Sequence, residues 1–422
     1  MERMLQYVWK QRLFDDSDLT MSNGRKIAVI DPGTQNTDAG PDFFNAKIKI
    51  GDTLWAGNVE IHERASDWAA HRHDKDRAYD SVILHVVNID DAEVLTSDNK
   101  AIAKAVLRVP EKIEKNIEWL LSRDTPVPCA NRLKDIAPIY ISDWMTALIT
   151  ERLERKTKEI YARLEFSGKD WNEAFYITLM RNFGFSVNGD AFEYLAKSLP
   201  YKIILKHRNN PLQVEALLFG QARLLDDEKA EPEPYYLSLV QEYDFLRKKY
   251  DLAPVEFSQY KSLRMRPDNF PYIRIAQAAA MFIKNDLLFS QILETEDIDR
   301  LRNYFNVEPT EFWRTHYHFR FASPPKNKSI GKNSANIVLI NTVVPILFAY
   351  GKAKSKPEFC DRAMRLLEQL PAENNSITRL FAEAGVKSDN AVDSQALVQL
   401  RREYCDRKKC LYCRIGFRVI GK

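Results

Sequence analysis

No uninterrupted apolar run in the 422 residues approaches the roughly 18–20 needed to cross a bilayer. The opening, MERMLQYVWKQRLFDD, carries charges where an export signal needs an apolar segment. Cysteine is scarce, with five in the chain. Without an export signal these thiols are expected to be free or metal-bound, in a cytoplasmic setting. Neither GxxxxGK[ST] nor GxGxxG occurs, so no P-loop or dinucleotide fingerprint is indicated. There is no fixed-period repeat and no low-complexity tract, which excludes solenoids and disordered arrays. Net charge is only +3, so the whole molecule is not a general nucleic-acid magnet.

What is present describes a folded protein. Apolar residues make up 45% and charged residues 29%, and the length asks for two or three domains. Charge is uneven. The last 22 residues carry a net +6, leaving the rest near −3. Such an end either contacts phosphate or is simply a solvated terminus.

The pattern changes near residue 110. Before it, a helix with Leu5, Val8, Trp9 and Leu13 at helical spacing leads into short β-patterned runs at 26–30, 43–50, 54–62 and 82–88. A second helix is expected at about 68–79, giving the order α-β-β-β-α-β. After residue 110 the chain reads as helical, with runs at 139–164, 172–182, 212–225, 236–250, 273–282 and 335–350. Proline joints at Pro126/Pro128, Pro232/Pro234 and Pro324/Pro325 separate them. The expected fold class is therefore α+β: an α/β domain over 1–110 and a large, mostly helical domain over 111–422, with a further division near residue 230.

The segment that carries chemistry is GPDFFNAKIKIGDTLWAGNVEIHERASDWAAHRHDKDRAYDSVILHVV, residues 40–87. Side chains alternate along a strand, so Glu60 and His62 share one face and Val59 and Ile61 the other. A three-residue connection, Gly51-Asp52-Thr53, sets Asp42 opposite His62 and diagonal to Glu60. A two-residue loop separates Asp42 from Glu60 unless a bulge intervenes. Two carboxylates on one face suit a hard cation such as Mg²⁺ or Mn²⁺, which activates water and polarises a phosphate.

Pro41-Asp42 and Glu60-Ile61-His62, followed by a helix and an apolar strand, resemble the PD-(D/E)XK nuclease superfamily. That resemblance implies a restriction-endonuclease-like fold, with Asp42 and Glu60 as metal ligands and Asp42, Glu60 and His62 as the catalytic set. The superfamily has Lys where this chain has His62, which puts cleavage in doubt more than fold. Two functions follow: a metal-dependent nuclease hydrolysing phosphodiester bonds in DNA or RNA, or a non-catalytic nucleic-acid or protein-interaction scaffold.

Four of the seven histidines lie between 62 and 85. His73 and His85 are secondary candidates, His85 being more simply a satisfied core histidine. His71 reads as part of a solvated turn, after a cap by Ser66 or Asp67. Cys405-x4-Cys410-x2-Cys413 suits Zn²⁺ or an iron–sulfur cluster, with Cys129 or Cys360 as the fourth ligand. Three C-terminal cysteines plus a distant upstream one are similar to some RecB-family nucleases. There the upstream cysteine precedes the core, whereas here it follows.

A third feature is EFWRTHYHFRF, residues 311–321. As a strand it sets Trp313, Thr315, Tyr317, Phe319 and Phe321 on one face and Arg314, His316, His318 and Arg320 on the other. With Lys326 and Lys328 these residues form a candidate nucleic-acid surface, although an amphipathic strand with its basic side out has the same pattern. Across nearly its full length, through GNVEIH, SDW, VILHVV, NFPYIRIAQ, DSQALVQL and YCDRKKCLYCRIG, the chain resembles an uncharacterised bacterial family of unknown function.

Overall fold

A computed structural model describes residues 1–421 apart from 16, 186, 227–232, 256–259, 263–265 and 287. The chain forms two compact units, Met1–Trp144 with Leu400–Lys422, and Met145–Gln399. The division thus falls at Trp144 rather than near residue 110. The basic C-terminal segment is folded into the first unit instead of trailing as a solvated end. The division expected near residue 230, and Pro232, lie outside the described residues.

The first unit opens with α1 (Glu2–Gln11), whose Leu5, Val8 and Trp9 are buried. Trp9 Nε1 donates to the Pro32 carbonyl at 3.0 Å, which docks the helix. Seven strands follow: β1 (Leu19–Met21), β2 (Ile27–Asp31), β3 (Thr34–Gln35), β4 (Phe43–Ile50), β5 (Thr53–Arg64), β6 (Val82–Ile89) and β7 (Lys104–Leu107). They form one mixed sheet in the order β1-β7-β6-β5-β4-β2, with β3 beside β4. β5, β6 and β7 are parallel neighbours, and the other pairs are antiparallel. The β-runs expected from the pattern are all strands, while β1, β3 and β7 were too short to register as period-two runs.

β6 is central, and its apolar run VILHVV is buried from Leu84 to Val87, as a strand covered on both faces must be. β5 changes character along its length. Its first half is exposed, with Leu54 and Trp55 at the hairpin tip, and residues 59–62 are all buried.

The crossover from β5 to β6 is not one helix. α2 (Asp67–Ala70) makes a single turn, and two 3-10 turns follow at His73–Lys75 and Arg77–Tyr79. Arg72 adopts a left-handed conformation (φ 64°) that ends the helical path. Neither expected cap closes α2. Asp67 accepts the Arg64 amide, and the Ser66 hydroxyl donates to Asp91. Trp68, Tyr79, Val82, Val87, Val94 and Ile102 form the apolar cluster under this crossover.

The second unit is built from helices, as expected; among them are Trp171–Phe183, Pro211–Gln221, Pro234–Tyr250 and Pro271–Lys284. The helical run Lys332–Lys354 corrects one expectation. By length and composition it is apolar enough to cross a membrane, with mean hydropathy 1.6, because scattered Asn residues interrupt the apolar run without lowering its average much. Its apolar window is 72% buried inside the fold, as a core helix is. A π turn at Leu339–Val343 precedes Pro345, which has no amide to donate back along the helix.

Candidate metal centre

Asp42 and Glu60 meet through a bulge. β4 and β5 join by a two-residue turn, with Ile50 opposite Thr53, which alone would put the carboxylates on opposite faces. Between Ala46↔Gly57 and Phe43↔Val59 the register slips by one. Asn45 sits there at φ 56°, in the left-handed region that Asn tolerates. One step beyond Phe43↔Val59, Asp42 comes level with Glu60 rather than His62. Gly33 enforces the same corner, since a Cβ there would lie 2.6 Å from the Phe44 carbonyl oxygen.

The two carboxylates have different duties. The Asp42 amide donates to Glu60 Oε2 at 2.9 Å, and Asp42 Oδ2 accepts from the Ile61 amide at 3.0 Å. Gln6, from α1, donates to Asp42 Oδ1 at 2.9 Å. Both Asp42 oxygens are therefore committed, whereas Glu60 Oε1 faces the histidines. Burial, then the Glu60 charge, pushes the Asp42 carboxyl up to about 7.

Glu60 Oε1 lies 3.4 Å from His62 Nε2 and 3.4 Å from His73 Nε2. His71 Nδ1 is 3.2 Å from His62 Nε2. One ligand nitrogen from each of His62, His71 and His73 lies within 4.8 Å of the others. Nitrogens sharing one tetrahedral ion at about 2.0–2.1 Å stand about 3.4 Å apart. Contacts of 3.4 Å are long for hydrogen bonds and match ligands around a common point.

Burial holds the His62 imidazole neutral, the form that binds metal. His62 is pushed down to about 3 by burial and by the neighbouring His71 and His73. Behind it, His62 Nδ1 and His85 Nε2 are 2.9 Å apart, which orients the His62 ring. His85 is fully buried and its pKa is likewise lowered to about 3 by burial. His73 stacks on Tyr79 at 3.7 Å, and His71 is exposed at the rim.

His71 is the residue that sequence reasoning missed. On a continuous helix, His71 and His73 point apart; the αL turn at Arg72 brings both to one point. The signal available was the density of histidine in HERASDWAAHRH. Gln6 carried no signal, because only the docking of α1 brings it to Asp42. Lys104, in register with His85 on β7, does not supply a catalytic lysine here: its Nζ is held by Asp90 and the Ala92 carbonyl, each at 2.7 Å.

A groove of about 910 Å³ is lined in part by Gln6, together with Arg3, Lys10, Glu118, Arg407, Lys408 and Lys409. Cys405, Cys410 and Cys413 lie in the same unit as Cys129, whereas Cys360 belongs to the other unit, with its thiol 3.5 Å from the Phe348 carbonyl.

The 311–321 segment is not one strand. Phe312–Thr315 is a helical turn, followed by a hairpin of His316–His318 and Phe321–Ala322. Lys328 is buried, and its ammonium is spent on the carbonyls of Trp313, Arg314 and His316, so it does not belong to a nucleic-acid surface. Lys326 pairs with Asp268 at 2.6 Å, and His316 stacks on Phe312. Arg314 lies 3.8 Å from Glu308, while the His318 ring packs against Tyr272 at a tilt of 53° and its Nδ1 accepts the Arg320 amide at 3.2 Å.

A family model described as "Protein of unknown function (DUF2851)" matches residues 2–376. The chain belongs to this family. The DUF2851 match takes in the whole acidic–histidine cluster and ends ahead of Cys405. No curated protein and no solved structure matches the chain.

Proposed function

We propose that this DUF2851 chain is a metal-dependent hydrolase of phosphodiester bonds in DNA or RNA, with Glu60, His62, His71 and His73 holding one divalent ion. The observation that carries the reading is the approach of three imidazole nitrogens within 4.8 Å of one another, with Glu60 Oε1 3.4 Å from two of them. Three imidazoles and a carboxylate favour Mn²⁺ or Zn²⁺ over Mg²⁺, which prefers oxygen. Such an ion supplies Lewis acidity toward a phosphate oxygen and toward water. In this reading Asp42 positions Glu60 rather than binding the ion.

A phosphate-bearing substrate is supported by the basic groove beside Gln6, and by the likeness of Asp42 and Glu60-Ile61-His62 to the nuclease motif. A cytoplasmic setting belongs to the same reading, supported by the burial of the Lys332–Lys354 helix. The test is incubation of the full chain with labelled DNA and RNA in Mn²⁺ or Zn²⁺, beside Glu60→Ala and His73→Ala. Cleavage is expected from the wild type and lost in both variants. Cleavage undiminished in Glu60→Ala overturns the mechanism, and binding without cleavage under every metal favours the scaffold.

A further inference from the structure

Two distant stretches of the chain, α1 and residues 407–412, wall the 910 Å³ groove of the first unit. On α1, Arg3, Gln6 and Lys10 are spaced by three and four residues, so they share one stripe, while Leu5, Val8 and Trp9 are buried. Gln6 belongs to that stripe, and its amide also holds Asp42 of the candidate metal centre at 2.9 Å. On the other wall a helical run ends at Cys405. Lys408 takes the left-handed conformation (φ 49°), and the Lys409 amide closes the end on the Tyr404 carbonyl at 2.8 Å. Arg407, Lys408 and Lys409 are exposed on this turn. Cations at a helix C-terminus complement its dipole, which accounts for the turn but not for Arg3 and Lys10 on α1.

Five cations line the groove against one acid, Glu118. Arg407 pairs with Glu403 at 3.0 Å, and Lys408 lies 3.6 Å from the exposed Asp124. Among the described residues Arg3, Lys10 and Lys409 have no acidic partner; Lys10 donates to Gln35 Oε1 at 3.0 Å. Much of the remaining lining is apolar, with Met4, Ile117, Leu121 and Leu411 in it, and the Tyr412 ring is 63% exposed. A second hollow of about 170 Å³ shares Lys10, Leu411 and Tyr412 with the first and adds Arg414, which pairs with Asp143 at 2.5 Å. Tyr412 thus lines both hollows, and each holds cations.

A polymer of phosphates and flat bases matches this lining. A duplex turns its phosphates outward and keeps its base faces stacked, so it has nothing to offer Tyr412 or the apolar floor. A single strand offers a line of charge and open base faces, and stacking on an aromatic ring tolerates any sequence. Arg3 and Lys10 lie about 10 Å apart along the axis of α1. That is the rise of about three nucleotides at about 3.4 Å each.

We propose that the groove between α1 and residues 407–412 binds single-stranded DNA or RNA, with phosphates on Arg3, Lys10 and Lys409 and a base stacked on Tyr412. As the form of substrate that is cleaved, the single strand rests on the hydrolase reading; its binding needs neither metal nor cleavage.

The test is fluorescence anisotropy of labelled oligothymidine, oligouridine and a duplex of the same length, titrated with the full chain in EDTA over a salt series. Both single strands should bind about 5-fold or more tighter than the duplex. Arg3→Ala combined with Lys10→Ala should weaken single-strand binding and reduce the slope of log affinity against log salt by about 1.4, from two contacts at about 0.7 each. Tyr412→Ala should weaken binding about 5-fold or more with the slope unchanged, and Tyr412→Phe should bind as the wild type does. Lys352→Ala combined with Lys354→Ala makes the same charge change in the second unit and should leave binding intact. All five positions are exposed, and an unchanged circular-dichroism spectrum checks each fold. A duplex bound as tightly as the single strands overturns the proposal, as does equal weakening by the two double variants. Binding to phosphatidylserine vesicles with none to nucleic acid overturns it too. Cleavage in Mn²⁺ is scored separately. Groove-dependent binding without cleavage leaves the groove standing and sinks the hydrolase, whereas cleavage with affinity unchanged in the groove variants sinks the groove alone.

Discussion

The backbone amide of Asp42 donates to Glu60 Oε2 at 2.9 Å, so one acidic residue orients the other and leaves Glu60 Oε1 turned toward His62 and His73. This contact exists because the strand carrying Asp42 holds one residue more than its partner. The bulge at Asn45 is therefore part of the site, although no side chain of the bulge reaches it in the contacts described.

Removing that extra residue should undo the cluster. Deletion of Asn45 restores regular pairing and turns Asp42 to the other face of β4, so metal affinity measured by calorimetry should fall sharply. Asn45→Gly keeps the left-handed conformation and should change stability by less than about 0.5 kcal/mol, whereas Asn45→Val should cost about 1–2 kcal/mol. Equal metal affinity in the deletion variant and the wild type would count against the bulge as the device that builds the site.

His85 touches no substrate in this arrangement; it positions His62. Replacing it with Leu fills the buried space and frees the His62 ring. Metal affinity should drop about 10–100-fold while the circular-dichroism spectrum is retained. An unchanged affinity would leave His85 as a plain core histidine.

Glu215 gives a pH dependence in the second unit. It is 1% exposed, and burial raises its carboxyl to about 8 from an ordinary 4.5, against the opposing hydrogen bond from Thr310. Between those values the folded chain keeps a proton that the unfolded chain releases. The stabilisation is thus complete below about pH 4.5 and is lost as pH rises toward about 8. Glu215→Gln should flatten the fall in melting temperature between about pH 5 and about pH 8, and should be the more stable form at the upper end. Parallel curves would show that Glu215 titrates normally.

Lys328 and Lys326 should separate cleanly in urea unfolding. Lys328→Met leaves three carbonyls without their shared donor and should cost about 2–3 kcal/mol. Lys326→Ala breaks a half-exposed pair with Asp268 and should cost less than about 1 kcal/mol. Similar losses in both would argue against Lys328 as a structural residue.

Much of this architecture was legible in the chain. Alternation in VEIH and the apolar run VILHVV marked strands, and helical spacing marked α1 and the main helices of the second unit. These signals survive because burial of a strand or helix face is a local, periodic demand on residue type. Local sequence also showed that Glu60 and His62 share a face.

The pairing of faces across elements was decided only by the tertiary structure. Whether Asp42 joins Glu60 depends on a one-residue slip at Asn45, and a shift of one residue reverses every side chain. Whether His71 joins His73 depends on a single φ at Arg72, and docking of α1 brings Gln6 to Asp42. Cys129 shares a unit with Cys405, Cys410 and Cys413 only because the chain end folds back on the first unit. Sequence determined which groups are available for chemistry. Their convergence rests on long-range packing and on single backbone angles, neither of which leaves a periodic trace in the order of residues.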